Sequence, residues 1–181
     1  MTAPAPPAPV LPAPPTRRLF LALWPPPGVL AALQEHAAAW QWPAGARCTR
    51  PERLHITLHF LGPVPEPRVA SLAQALQVRW EGCDLVLDTP QVWPGGIAVL
   101  EASQVPPALG GLHAALAQRL RERQLPVETR RYRPHVTFAR KGFGARPPAG
   151  FAPVRWQAAP GYVLVESLPG GRGYVPLHWF G

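Results

Sequence analysis

The sequence predicts an α+β protein whose sheet is mostly antiparallel. Short apolar runs typical of strands alternate with stretches of helical periodicity, without the long parallel strand–helix–strand register of a nucleotide-binding fold. The sequence has no glycine-rich phosphate loop and no short solenoid-type repeat. With 47% hydrophobic residues among 181, the chain can bury the core of one domain or of two small lobes.

The strands are predicted from compact or alternating apolar runs that end at turn residues. The run at 17–24 stops at three consecutive prolines, and the run at 53–61 stops at Gly62-Pro63. The predicted strands cover residues 17–24, 53–61, 84–88, 97–100, 133–140, 151–166 and 173–180.

Three helices are predicted over residues 28–40, 67–80 and 106–124, each with apolar residues on one face. In the third, four leucines form the apolar stripe, and an arginine-rich cluster lies at its end. Cations in a last turn interact favourably with the helix dipole.

The first fifteen residues contain seven prolines and no charged side chain, and they show neither helical nor strand periodicity. This composition predicts an extended, polyproline-like tail over residues 1–15, followed by one folded domain over 16–181. The tail lacks the features of a secretory signal and is too short to cross a membrane. We therefore expect a cytoplasmic protein without membrane association, in which Cys48 and Cys83 are reduced thiols.

The net charge of +8 lies almost entirely in the second half of the chain. Residues 1–90 carry seven basic and six acidic side chains, whereas residues 91–181 carry eleven and four. All of the basic residues except Lys141 are arginine, which binds phosphate through two parallel hydrogen bonds. The charge distribution is compatible with a polyanionic partner and also with an ordinary solvated basic surface.

A pattern of His, apolar, Thr, apolar occurs twice, at His55–Leu58 and at His135–Phe138, 80 residues apart. Alternate side chains of a strand share a face, so His55 would lie beside Thr57, and His135 beside Thr137. The apolar residues between them would enter the core. A single such pattern is a weak signal, but two copies with matching flanks among only six histidines favour a functional pair.

Two facing strands of this kind have the groups that cleavage of a phosphodiester requires. One imidazole can donate a proton while the other accepts one, because histidine titrates near neutral pH. The threonine hydroxyls can donate hydrogen bonds to phosphate oxygens. Acid and base on opposite sides of phosphorus fit in-line attack, which requires no metal and no other cofactor.

At these residues the sequence resembles the two-histidine phosphoesterases, specifically the RNA 2′,3′-cyclic phosphodiesterases, also called 2′-5′ RNA ligase-like proteins. The segments LHITLHFLG and PHVTFAR are similar to the two family signatures. The first strand, RLFLAL, and the C-terminal segments LVES and GYVPL also match in order and spacing. The resemblance covers the chain except for the proline-rich tail.

The resemblance implies a bilobal fold of two pseudo-symmetric antiparallel sheets with outer helices and a central groove. It implies hydrolysis of a 2′,3′-cyclic phosphate, on an RNA end or a nucleotide, to a 2′-phosphate. His55 would then be the proton donor and His135 the proton acceptor, while Thr57 and Thr137 hold the phosphate. We expect a monomer.

Further candidates flank the two signatures. Arg140 and Arg133 are candidate phosphate ligands, although alternation places Arg140 on the Phe138 side unless the strand ends or bulges. His59 shares its parity with His55. Tyr132, His59 and Arg131 are candidate base or RNA contacts, and no metal site is predicted. Phe60 and Phe138 are predicted to be core residues, and His36, His113 and His178 structural ones.

Two other functions remain open at this point. The same groove could join a cyclic phosphate to a 5′-hydroxyl, which is the reverse reaction, although the chain has no Walker loop for an activating nucleotide. A non-catalytic module could bind RNA ends through the basic second half, with a strong dependence on salt. Such a module would not need two symmetric acid–base residues.

Overall fold

Ten strands and three α-helices follow one another between Pro14 and Gly181, the residues that the computed structural model describes. Residues 1–13, and with them most of the predicted proline-rich tail, lie outside this range. The strands are β1 (Thr16–Leu23), β2 (Arg47–Cys48), β3 (Ile56–Pro65), β4 (Cys83–Leu87), β5 (Thr89–Trp93), β6 (Ile97–Glu101), β7 (His135–Arg140), β8 (Val154–Ala158), β9 (Tyr162–Ser167) and β10 (Tyr174–Phe180). The helices are α1 (Pro27–Ala38), α2 (Val69–Ala75) and α3 (Pro107–Glu122).

Several elements differ from their predicted bounds, among them β3, which covers 56–65 rather than 53–61, and two strands, β2 and β5, lie outside the predicted ones. The region 151–166 forms two strands, β8 and β9, because the chain turns at Gly161 with a φ of 125°. Strand β5 contains Pro90 and lies at the edge of the sheet, where a residue without an N–H is tolerated. Helix α2 ends at Ala75 rather than at residue 80. There the Tyr162 hydroxyl donates to the Leu76 carbonyl at 2.8 Å and accepts from the Val78 N–H at 2.7 Å.

The main sheet consists of two antiparallel arms that meet in its centre. The strand order is β10-β9-β1-β3-β7-β6-β5, with β2 added beside β7, and β4 pairs with β8 in a separate two-stranded sheet. Strands β3 and β7 join the arms through one register pair, Ile56 opposite Val136. The predicted α+β class is confirmed, and the two antiparallel sheets that the resemblance implies are joined through β3 and β7 into one continuous sheet.

This central pair relates the two histidine motifs by an approximate two-fold axis. Ile56 and Val136 are equivalent residues, because each follows its histidine. When equivalent residues of antiparallel strands lie opposite each other, the axis passes between them. The same register continued by one residue places His55 across from Thr137, and His135 across from Thr57. The topology therefore brings both motifs to one place.

The two faces of strand β1 have different environments. Leu19 and Leu21 belong to the main core, together with the buried leucines of all three helices. Phe20 and Ala22 lie on the opposite face and form a second, smaller cluster with neighbours on β9. The partly buried Trp24 and Tyr174 pack against this second cluster.

A β-bulge follows the threonine of each motif. Leu58 has no partner on β1, since Thr57 pairs with Ala22 and His59 with Leu21. Phe138, its equivalent, likewise has no partner on β6, since Thr137 pairs with Val99 and Ala139 with Ala98. An extra residue shifts the alternation that follows it by one position.

The bulges move two side chains to the face that carries the histidines. Phe60 pairs with Phe20 and is 53% exposed, so the prediction that it is a core residue is wrong. Arg140 lies beyond the Phe138 bulge and is exposed on the same face. Phe138 itself is 1% exposed, as predicted.

Replacing Phe138 with alanine is expected to lower the free energy of unfolding by about 3–5 kcal/mol, because it leaves a cavity in the core. Urea denaturation measures this change. Phe143, which is 66% exposed, is the matched control and should change stability by less than about 0.5 kcal/mol when replaced by alanine. A loss below about 1 kcal/mol for Phe138→Ala would contradict the packing described.

Candidate active site

A groove of about 590 Å³ lies between the two arms and contains both histidines. Every candidate residue from the sequence lines it. These are His55, Thr57, His59, Arg131, Tyr132, Arg133, His135, Thr137 and Arg140. The structure places them together, but they differ in how freely each can reach a ligand.

The two imidazoles are held in the same way. His55 Nδ1 lies 2.7 Å from the carbonyl oxygen of Arg53, and His135 Nδ1 lies 2.7 Å from that of Arg133. A carbonyl can only accept, so each Nδ1 carries a proton and donates it. The free position on each ring is therefore Nε2, which is the position available for proton transfer.

Thr57 contacts the free nitrogen of its neighbouring histidine. Its Oγ1 lies 3.2 Å from His55 Nε2, close enough for the hydroxyl to donate a hydrogen bond to the unprotonated nitrogen. The hydroxyl and the imidazole thus point to the same part of the groove. A phosphate oxygen placed there would be within reach of both groups.

Aromatic rings surround His55. The Trp24 ring stacks on the imidazole at 5.5 Å between centroids with planes 10° apart, and the rings of Phe20 and Tyr174 lie at 5.0 and 5.4 Å. Loss of hydration in this environment disfavours the charged form and lowers the pKa of His55 to about 4. The positive charges of His135 and Arg140 act in the same direction, whereas the hydrogen bond to the Arg53 carbonyl opposes them.

His135 has a less apolar environment. The Trp93 ring lies 4.4 Å away, and Glu101 is its partner across the β6–β7 pair. Burial lowers the pKa of His135, while the negative charge of Glu101 opposes this shift. The charge of Glu101 and the smaller number of aromatic neighbours therefore distinguish His135 from His55.

The groove arginines differ in their partners. Arg133 forms a two-point ion pair with Glu101 at 2.6 and 2.5 Å and lies 4.6 Å from the centre of the Trp93 ring. Its charge is thereby compensated, which does not favour the predicted phosphate contact. Arg140 lines the same groove, and its positive charge lowers the pKa of both histidines. Arg131 is exposed at the rim.

Three stacked rings form another wall of the groove. His113 of α3 lies between His59 and Tyr132, at centroid distances of 4.0 and 3.9 Å. His59 is 3% exposed, and its Nε2 donates to the carbonyl of His113 at 2.8 Å. These contacts occupy one face of the His59 ring and one face of the Tyr132 ring. His113, predicted only as a structural residue, is therefore also part of the groove wall.

Sequence reasoning did not identify six residues that contact the histidines or support their contacts: Phe20, Trp24, Arg53, Trp93, Glu101 and Tyr174. One signal was available, since Arg53 and Arg133 each precede a histidine by two residues. The aromatic contacts depend on strand register, which the sequence does not reveal.

Within residues 14–181 no three His, Cys, Asp or Glu side chains gather as metal ligands. No helix in the same range is long and apolar enough to span a membrane.

Comparison with known proteins agrees with this geometry. An RNA 2′,3′-cyclic phosphodiesterase of Thermus thermophilus is 32% identical, over 90% of this chain and 89% of that protein. The crystal structure of E. coli LigT in apo form has a TM-score of 0.77 at 25% identity, covering 92% of this chain and 97% of LigT. E. coli LigT complexed with 3′-AMP gives a TM-score of 0.75 at 25% identity, covering 91% and 97%.

The family model described as the 2′-5′ RNA ligase superfamily matches residues 25–160, which include both histidine motifs. This match confirms the family resemblance noted from the sequence. The chain therefore belongs to the 2′-5′ RNA ligase superfamily.

Proposed function

We propose that this protein hydrolyses 2′,3′-cyclic phosphates, on RNA ends or nucleotides, to 2′-phosphates by metal-independent acid–base catalysis. One observation carries the proposal: two imidazoles on equivalent strands donate from Nδ1 to a carbonyl at 2.7 Å and leave Nε2 free in one groove. The Thermus relative is named for this activity, and LigT was crystallised with a 3′-nucleotide.

In the proposed reaction a water molecule attacks phosphorus in line with the 3′-oxygen. His135 Nε2 takes a proton from the water as the new P–O bond forms. His55 donates the proton on its Nε2 to the 3′-oxygen as the P–O3′ bond breaks, which leaves a 3′-hydroxyl and a 2′-phosphate. A bound phosphate anion favours the imidazolium, so it raises the pKa of His55 from its value in the free protein.

The hydroxyls and one arginine stabilise the charge that develops on phosphate. Thr57 and Thr137 donate hydrogen bonds to non-bridging oxygens from the two sides of the groove. Arg140 supplies positive charge near both imidazoles. Donors fixed in place before the reaction are the main source of such stabilisation.

The proposal is tested by incubating the protein with an RNA oligomer that ends in a 2′,3′-cyclic phosphate, in the presence of excess EDTA. We expect complete conversion to a terminal 2′-phosphate, identified by its resistance to a 3′-specific phosphatase. A 3′-phosphate product, or activity that EDTA abolishes and added metal restores, would contradict the mechanism. Joining of two RNA fragments without hydrolysis would favour ligation instead.

A further inference from the structure

In each arm, the arginine two residues before the histidine, an aromatic ring and the histidine itself make the same contacts and form one unit. The carbonyls of Arg53 and Arg133 accept the Nδ1 protons of their histidines. The Arg53 guanidinium lies 5.8 Å from the centre of the Tyr174 ring, and the Arg133 guanidinium 4.6 Å from that of Trp93. Each ring in turn contacts the imidazole of its arm, so the two units correspond.

The units differ in charge. Arg133 is neutralised by Glu101, which is 7% exposed, and also donates to Gln91 at 3.2 Å. Arg53 forms no ion pair with any residue in the range 14–181. It is half-buried and lines the groove. The His55 side of the groove therefore has a guanidinium without an anionic partner.

Arg53 and Arg140 differ in their effect on the groove histidines. Arg140 is the arginine whose charge acts on both imidazoles, which is where the cyclic phosphate would be bound. The Arg53 guanidinium lies against the Tyr174 ring and beside Gly173, and its charge is not among those that shift the pKa of either histidine. A cation displaced from the catalytic centre in this way matches the next negative charge of a nucleic acid strand. That charge is the 5′-phosphate of the terminal nucleotide.

We propose that Arg53, held against Tyr174, binds the 5′-phosphate of the nucleotide that carries the cyclic phosphate. It would thereby favour RNA ends over nucleoside 2′,3′-cyclic phosphates that lack a 5′-phosphate. This inference rests on the proposed function. A guanidinium fixed against a ring loses little freedom on binding, and its hydrogen bonds to phosphate are charge-assisted. In an RNA strand the bound group is the internucleotide phosphate.

Three substrates isolate the contribution of this phosphate: adenosine 2′,3′-cyclic phosphate, the same nucleotide with a 5′-phosphate, and the dinucleotide ApA ending in a cyclic phosphate. We expect the wild-type kcat/KM to be at least about tenfold higher for the second and third than for the first. Arg53→Gln should remove most of this preference, and Arg53→Lys should keep part of it. The salt dependence of kcat/KM should be steeper for the two substrates that carry this phosphate. The difference in slope should correspond to about one additional phosphate contact.

Arg155→Gln is the matched control, because Arg155 is exposed on β8, does not line the groove and has no ion pair among the described residues. It should change the preference by less than about twofold. An equal loss on all three substrates in Arg53→Gln, or an equal fall in preference in Arg155→Gln, would overturn the inference. If the wild type hydrolyses none of the three substrates, the proposed function itself is overturned. Circular dichroism establishes that each variant is folded.

Discussion

Replacing either groove histidine with alanine is expected to lower kcat on a 2′,3′-cyclic phosphate by about 10²–10⁴-fold, which is the usual contribution of a general acid or base. The double variant His55→Ala/His135→Ala should be little slower than the slower single variant, because the two groups act in one step. Steady-state kinetics on a cyclic nucleotide measure both effects.

His178→Ala is the control for these variants. His178 is exposed on β10 and does not line the groove, so its replacement should leave kcat within about twofold of the wild type. A folded His55→Ala or His135→Ala protein that retains more than about a tenth of the activity would show that the pair is not the catalytic centre.

An activated substrate separates the two roles. The p-nitrophenolate of bis(p-nitrophenyl) phosphate leaves without a proton, so loss of the general acid should matter little for it. The proposed assignment therefore predicts that His55→Ala retains most activity on this ester and that His135→Ala does not. The reverse result would assign the acid role to His135, whose protonated form the negative charge of Glu101 stabilises.

Arg140→Gln is expected to lower kcat/KM by about 10²–10³-fold, since it removes charge that stabilises the developing negative phosphate. It should also move the pH profile. The positive charge of Arg140 disfavours protonation of His55 and His135 and so lowers the pKa of both. Without it both pKa values rise, and both limbs of the bell-shaped profile of kcat/KM shift to higher pH.

Arg146→Gln provides the comparison for this variant, because it removes one exposed guanidinium from the loop after β7. Its pH profile should coincide with that of the wild type. If Arg140→Gln leaves the profile in place, or moves it to lower pH, Arg140 does not act on the imidazoles as the structure indicates.

Much of the fold and the centre of the site follow from local sequence patterns. The alternation around His55 and His135 predicts which residues enter the core and which share a face with each histidine. Residues Ile56 and Val136 are fully buried, while His55 and His135 line the groove. These features depend only on strand periodicity, which a short segment carries by itself.

The sequence leaves open, or predicts wrongly, the features that neighbouring strands decide. Phe60 and Arg140 reach the groove because bulges at Leu58 and Phe138 shift the alternation, and a bulge depends on pairing with β1 or β6. The sequence around His113 indicates only an ordinary helix, but the packing of α3 places this side chain between two rings. Such contacts join segments far apart in the chain, so no local pattern contains them.

A crystal structure of the protein bound to adenosine 2′-phosphate addresses the catalytic arrangement most directly. We expect one phosphate group flanked by both rings, with each Nε2 about 2.7–3.2 Å from a different oxygen of that group and each Nδ1 still bound to its carbonyl. A nucleotide whose phosphate contacts a single histidine, with the second ring directed elsewhere, would contradict the two-sided mechanism.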